Sequence, residues 1–473
     1  MTNTIQTLSN FAHETSFEKL PPEVVEESKR LIIDSIGCAL AGTEHPRGQI
    51  ARKYAELHGR GADNFSASII GVPGKFNVTT TAFVNAELVN ALDFDAILPP
   101  GHVSPYVIPG ILAFAEVSKS GGQELITALA LAHEISNRIG KAQDNLRDII
   151  DGKNSPPVVN GYSSTIFGGT AAIGKIRKFS AEQIAHALGI AGSTAPVNSQ
   201  WSFSVHSHFS TLKYHLAGAL AATNTNAALL AELGHTGDLE ILDDKEHGWC
   251  KMINTRKWDI EKITQQLGTR WNFPAEQSYK PYPHCRILHA PLDALMEIIN
   301  ENHIQVDEIE SIKAWVEGFV MKPLWLNRDI TDIAQGQFSV AHGLSVGAHN
   351  VEPGKKWQTH DVVFDPSVIR LMDKISFEVH PDYERLLISD PASRPTRIEV
   401  KARGQVFSRE KRFPKGSPSV DPSSKMTNEE ISDKFIRNAE GVIRSEQTQA
   451  FLDRAWQLEK ETSVAELLKA IAL

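Results

Sequence analysis

From about residue 15 to 235, apolar residues recur three and four positions apart in Ala-rich segments, with almost no alternating stretches, a pattern that predicts a bundle of helices. In residues 22–41 the prolines suit a first turn, and Val25, Ile32, Ile36 and Leu40 then follow at helical spacing. Residues 81–92 and 124–139 repeat the pattern. Ser180 with Gln183 forms a capping-box signature ahead of Ile184, Leu188 and Ile190, so a helix is expected to open there. Small residues (Gly168, Gly169, Ala171, Ala172, Gly189, Ala191, Gly192) permit close helix approach. After about Trp271 the texture changes. Residues 309–320, 375–379 and 397–407 are β-branched, aromatic and partly alternating, and helical stretches such as 291–299 lie between them. Residues 414–424 (PKGSPSVDPSS) read as a linker, and Thr427 with Glu430, then Ser463 with Glu466, read as capping boxes of two further helices. The expected class is α+β: a large all-α domain built from both chain ends (1–268 and 423–473), with a smaller α/β domain inserted at 269–422.

Composition narrows the function classes. The chain has 473 residues, well above the size at which one core suffices, so two domains are the default. Its net charge of -9 provides neither a basic footprint for nucleic acid nor a polybasic membrane patch. An anionic ligand must then be held by a few local cations. No apolar run approaches the roughly 20 residues that a bilayer span requires. Residues 1–10 are polar, with no cationic leader or apolar run, and Cys38, Cys250 and Cys285 lie too far apart for a disulfide scaffold or a four-cysteine metal knuckle; a soluble cytoplasmic protein is expected.

Four segments carry candidate chemistry. Residues 91–105 (ALDFDAILPPGHVSP) place Asp93 and Asp95 at the end of an apolar helix, where their spacing lets only one face a cleft, and His102 follows a Pro-Pro-Gly turn. A carboxylate beside His102 tunes the side chain whose ordinary pKa lies nearest neutrality. Residues 160–165 (NGYSST) enter a Gly-rich helix whose first N–H groups suit a carboxylate. In residues 201–218, His206, His208, His215 and Lys213 are concentrated. The HxH pair raises zinc, but a third ligand at a recognisable spacing is missing, so no metal is expected. Lys213, at the start of an apolar helix, must pair with a carboxylate or lose its proton if driven inward. Residues 280–293 (KPYPHCRILHAPLD) set Lys280 and Arg286 around a rigid Pro-Tyr-Pro, a constrained loop able to receive a dicarboxylate; His284, Cys285 and His289 follow closely. Cys285 as a nucleophile competes with this reading but lacks a local base arrangement beyond the two histidines.

Taken in order, LDFDA…HVSP, NGY with its Gly-rich helix, LKYHLAG, GHTG at 234–237, KPYPHCRILH and AQGQFSVAHGL at 334–344 resemble the MmgE/PrpD family, which includes 2-methylcitrate dehydratase, cis-aconitate decarboxylase and iminodisuccinate epimerase. The resemblance implies a helical domain with an α/β lid, an active site between them, a homodimer, no cofactor, and a small di- or tricarboxylate substrate that gains or loses a proton beside a carboxylate. Asp93 and His102 match the first motif, Lys213 the helix-opening motif, and Lys280, Tyr282, Cys285 and His289 the lid loop. Where dehydratase and decarboxylase members carry a histidine after the aromatic residue of the third motif, this chain has Ser163 after Tyr162; where they tend to have a later tyrosine, it has His342. Serine cannot serve as an acid near neutral pH, and an epimerase has no leaving group to protonate. The resemblance therefore points to an epimerase of an iminodisuccinate-type aminodicarboxylate. In that reading Lys213 and either Tyr162 or His102 exchange the proton, Asp93 orients or tunes a histidine, Lys280 and Arg286 hold carboxylates, and Ser163, His289 and His342 line the pocket. The alternatives are a lyase of the same family, a catalytically silent dicarboxylate-binding protein, and a zinc hydrolase built on His206 and His208.

Overall fold

The computed structural model describes residues 3–61, 65–159, 161–197, 200–206, 210–213 and 216–472, with only the backbone of Gln200 and Trp201. It is an α+β protein with a large helical part. The helices Pro22–Gly42, Val78–Asn90, Ser104–Val117, Gly122–Ala142, Thr165–Ile176, Ala181–Thr194 and Ala217–Glu232 pack against one another. Pro22 stands in the first turn of its helix, and the Asn77 side chain caps the next long one by accepting from Thr80 N. The Ser180 and Gln183 capping box is present. The small-residue stripe has a visible purpose: a Cβ on Gly168 would stand 2.2 Å from Ala132 O, and one on Gly169 would stand 2.3 Å from the Asn224 amide. Helix Thr165–Ile176 is thereby drawn into the bundle centre, and Gly161–Ser164, the turn carrying Tyr162, is fixed at its head. Among the described residues no helix is long and apolar enough to cross a membrane.

The α/β part contains one four-stranded sheet, formed by β1 (Ile309–Val316), β2 (Ile375–Val379), β3 (Thr396–Ala402) and β4 (Gln405–Lys411) in the order β4-β3-β1-β2. β1 runs parallel to β2 and antiparallel to β3. In β3 buried residues alternate with less buried ones, which is the signature of a sheet packed on one face. Helix His289–Glu301 covers that face. The stretch 397–407, expected from the sequence to have strand character, runs through a hairpin: Arg403 and Gly404 adopt positive φ values of 54° and 72° and reverse the chain.

Two expectations near the C-terminus need correction. Residues 414–424 are no free linker, since Lys415 N donates to Asp293 Oδ2 (2.7 Å) and Tyr279 N donates to Gly416 O (2.8 Å). Proline and serine content describes how a segment resists helix and strand, and says nothing about whether it docks. Thr427 and Glu430 do form a capping box, but the Ser463 side chain makes no capping bond to its short helix, Val464–Lys469. Helix Asn428–Ala439 returns to the first bundle helix, where Phe435 packs against Gly37. Lys434, buried, donates to Asp34 Oδ1 (2.6 Å) and to Phe94 O (2.7 Å), while Asp34 Oδ2 accepts from Ala96 N (3.1 Å). An ion pair between the two ends of the chain thus grips the backbone of residues 94–96.

Candidate active site

The helix Val78–Asn90 ends at the segment that carries the acids. Asp93 adopts a φ of 54°, a left-handed conformation that costs a non-glycine residue free energy and turns the chain sharply. The bend takes both acids beyond the helix end, and of the two only Asp93 lines the cavity, as the sequence leads one to expect. Off the helix, both converge on His102, which lies in the short antiparallel pairing of Ile97–Leu98 with Gly101–His102. His102 Nδ1 donates to Asp95 Oδ2 at 2.6 Å, and its Nε2 lies 3.6 Å from Asp93 Oδ1. An ionised carboxylate only accepts, so Nδ1 carries the proton and Nε2 is the nitrogen that exchanges one. Asp95, rather than Asp93, therefore orients the histidine, and Asp93, in charge contact with Nε2, tunes it.

Asp93 has a different task. Its Oδ2 accepts from Lys280 Nζ at 2.6 Å and its Oδ1 from Lys213 Nζ at 3.2 Å; Lys280 also donates to Asp93 O (2.6 Å), and Lys213 to Asn90 O (2.8 Å). All three side chains are buried. Burial alone would raise the Asp93 carboxyl, but Lys213, Lys280 and His102 together hold it well below the usual carboxylate range. Asp95 is likewise lowered: burial opposes ionisation and the His102 pairing overrides it. Burial brings the Lys213 ammonium down to about 8, against the pull of Asp93. Lys213 itself stands in a turn with a φ of 53°, ahead of helix Ala217–Glu232 rather than inside it.

Of these groups Asp93, His102 and Lys280 line a cavity of about 840 Å³, open solvent included, whereas Asp95 and Lys213, the residue expected to exchange the proton, lie outside its lining. Asp93, His102, Tyr162 and Lys280 line one end, with the Tyr162 ring edge-on to His102 at 5.9 Å. Gly101 makes this packing possible, because a Cβ there would stand 1.8 Å from the Tyr162 ring. Phe203, Phe319, Trp325 and Phe338 form an aromatic wall whose neighbouring rings meet at 5.2 to 6.4 Å. Arg147, Arg286, Arg394 and Glu317 line the remaining side. Arg286 donates to Ser278 Oγ (2.8 Å), and burial together with repulsion from Arg394 and Arg147 depresses its pKa.

Three residues expected in the lining are absent from it. Ser163 is buried and donates to Pro196 O at 2.6 Å. His289 Nε2 bonds to His284 O (3.0 Å), and His342 Nε2 bonds to Val363 O (3.0 Å). Each satisfies a backbone carbonyl inside the protein, the ordinary fate of a buried polar side chain. The Tyr282 hydroxyl also turns away, donating to Asp293 Oδ1 (2.8 Å). Cys285 lines the cavity, but burial pushes its thiol pKa up, which removes the thiolate a nucleophile needs. Asn160, His208 and His215 lie outside the described residues; His206 is exposed, and among the described residues no three potential ligands gather for a metal ion. Sequence reading missed Arg147, Arg394, Glu317 and the aromatic wall. These residues come from separate loops, turns and short helices with no local chemical pattern, so only the fold assembles them.

Residues 6–261 match the model of the MmgE/PrpD N-terminal domain and residues 282–459 that of the MmgE/PrpD C-terminal domain. The chain is 24% identical to the cis-aconitate decarboxylase-like protein oryM of Aspergillus oryzae over 505 aligned positions, covering 99% of this chain and 97% of that protein. It is 27% identical to the cis-aconitate decarboxylase of Mus musculus, over 80% of this chain and 76% of the other, and 25% identical to that of Aspergillus terreus, over 72% and 70%.

Proposed function

The chain belongs to the MmgE/PrpD family, and from that premise we propose that it is a lyase that removes carbon dioxide from a small unsaturated di- or tricarboxylic acid of the cis-aconitate kind. The observation that carries this reading is the joining of an acid/base end and an aromatic wall in one cavity. A carboxylate held against Phe203, Phe319, Trp325 and Phe338 loses hydration that the departing neutral carbon dioxide does not need, so the apolar wall favours its release. The C–C bond to that carboxylate breaks, its electron pair moves into the neighbouring C=C unit, and the far carbon of that unit takes a proton from His102 Nε2. Asp95 keeps the imidazole in the tautomer that can do this and stabilises its charged form. Lys280 and Arg286 hold the carboxylates that stay. Ser163 does not weaken this reading, because its hydroxyl is turned to Pro196 O and the proton comes from the His102 side. The names of the relatives support a decarboxylase over the epimerase reached from the sequence.

One observation favours a second reading. Lys213, with a pKa near 8, stands with His102 around Asp93, and two proton-exchanging groups are what an epimerase of an aminodicarboxylate requires. Incubation in heavy water with cis-aconitate, methylcitrate and aspartate-type imino acids separates the two. The lyase reading expects carbon dioxide and a product carrying one deuterium at carbon. Deuterium exchange into an aminodicarboxylate without carbon dioxide overturns it in favour of the epimerase.

A further inference from the structure

Next to the inner cavity lies a second, wider hollow of about 1870 Å³, open solvent included, and the two share Pro99, Asn145, Arg147, Arg286 and Arg394 in their linings. Three guanidinium groups therefore form part of the partition between an outer vestibule and the chamber that holds His102 and Lys280. They come from three distant stretches: the loop after helix Gly122–Ala142, the loop before helix His289–Glu301, and the segment leading into β3. One acid lies among them. Glu317, directly after β1, receives Arg394 Nη1 on Oε1 at 2.6 Å and has Arg147 Nη2 at 3.3 Å from Oε2. That Oε2 is buried yet makes no hydrogen bond, and the same holds for Arg147 Nε. Arg286 has no carboxylate in ion-pair contact; its one hydrogen-bond partner among the described side chains is the Ser278 hydroxyl. The cluster thus has three positive groups to one negative and polar atoms still unsatisfied. The Asp93 cluster, with two lysines and two carboxylates, is balanced.

We propose that Arg147, Arg286 and Arg394 form a carboxylate subsite for the end of the substrate remote from His102, and that Glu317 limits its capacity to a single carboxylate group. A carboxylate arriving from the vestibule meets Arg286, whose planar fork suits two-point binding, and takes up the surplus charge of the cluster. Glu317 takes a donor of Arg394 and lies beside Arg147, whose Nη groups already donate to Pro391 O and Ser393 O, so a second carboxylate of the same molecule meets the Glu317 charge and no free guanidinium fork there. The subsite rests on the reading of the inner cavity as a place for small polycarboxylic acids, and the test is chosen so that the two can fail separately.

The test is calorimetric titration of the full-length protein and its variants with glutarate, a dicarboxylate, and tricarballylate, a tricarboxylate. Arg286→Gln is expected to weaken both by about tenfold or more. Glu317→Gln is expected to tighten tricarballylate relative to glutarate by about tenfold, and Arg394→Gln to move that ratio the opposite way. Arg394→Gln keeps the capacity claim open to refutation if Glu317→Gln does not fold. Binding by Arg286→Gln within twofold of the parent overturns the subsite, and a ratio unmoved by either other variant overturns the role of Glu317. Loss of binding in Arg286→Gln without turnover of any acid leaves the subsite standing and sinks the lyase reading alone; turnover of cis-aconitate with binding unchanged in that variant does the reverse.

Discussion

Two ionic clusters face one cavity and are built on opposite plans. Around Asp93, charges are matched, every partner lies within hydrogen-bond or ion-pair reach, and the side chains are almost wholly removed from water. Around Glu317, arginines outnumber the acid, Arg147 keeps 14% of its side-chain surface, and buried polar atoms lack partners. A balanced buried cluster is rigid, because moving any member strands the others in a medium of low dielectric. An unbalanced one that borders two hollows is ready to take an anion. The contrast separates a fixed place for proton transfer from an adaptable place for binding.

The sharpest way to break this contrast is to remove the acid from each cluster. Asp93→Asn strands Lys213 and Lys280, so a loss of about 3–5 kcal/mol is expected in urea unfolding. Glu317→Gln, where Arg147 keeps 14% of its side-chain surface, is expected to cost roughly 1–2 kcal/mol. Equal losses would show that the two clusters do not differ in kind.

A smaller effect concerns pH. Burial holds the Lys213 ammonium at about 8 in the folded protein against 10.5 ordinarily, so between those values the unfolded chain binds more protons than the folded one. Folded stability relative to Lys213→Met should therefore rise as pH increases from about 8 to about 10.5, with the cost of the buried charge fully present below about 8. Urea titrations at pH 7 and pH 9.5 measure the difference; a constant difference removes Lys213 as a titrating member of the balanced cluster. The smallest effect belongs to Ser163→Ala, which lies in neither cluster. Losing its bond to Pro196 O should cost about 1 kcal/mol in stability and leave turnover within about twofold, as steady-state rates would show.

How much of this was legible depended on whether the information is local. Helix positions follow from spacing within a turn or two, so the bundle and the box at Ser180 could be read directly. Asp93, His102, Lys213 and Lys280 were legible as residues because each sits in a distinctive short motif. Their partnerships were not. The positive φ at Asp93, which sends Asp95 to His102 and frees Asp93 for the lysines, depends on the packing of the whole segment. Ser163, His289 and His342 show the opposite error. Each has site-like chemistry in the sequence, and each is turned to a backbone carbonyl by its surroundings. Arg147, Arg394 and Glu317 had no local signal at all, since a lone charged residue in a loop reads as a solvated one.

The amine of Lys434, near the end of the chain, grips the carbonyl of Phe94 and the carboxylate that holds Ala96. The turn that carries both acids is therefore completed by a residue the ribosome adds more than three hundred positions later. During synthesis the chain can fold much of its bundle while the turn that carries Asp93 and Asp95 still lacks this clamp.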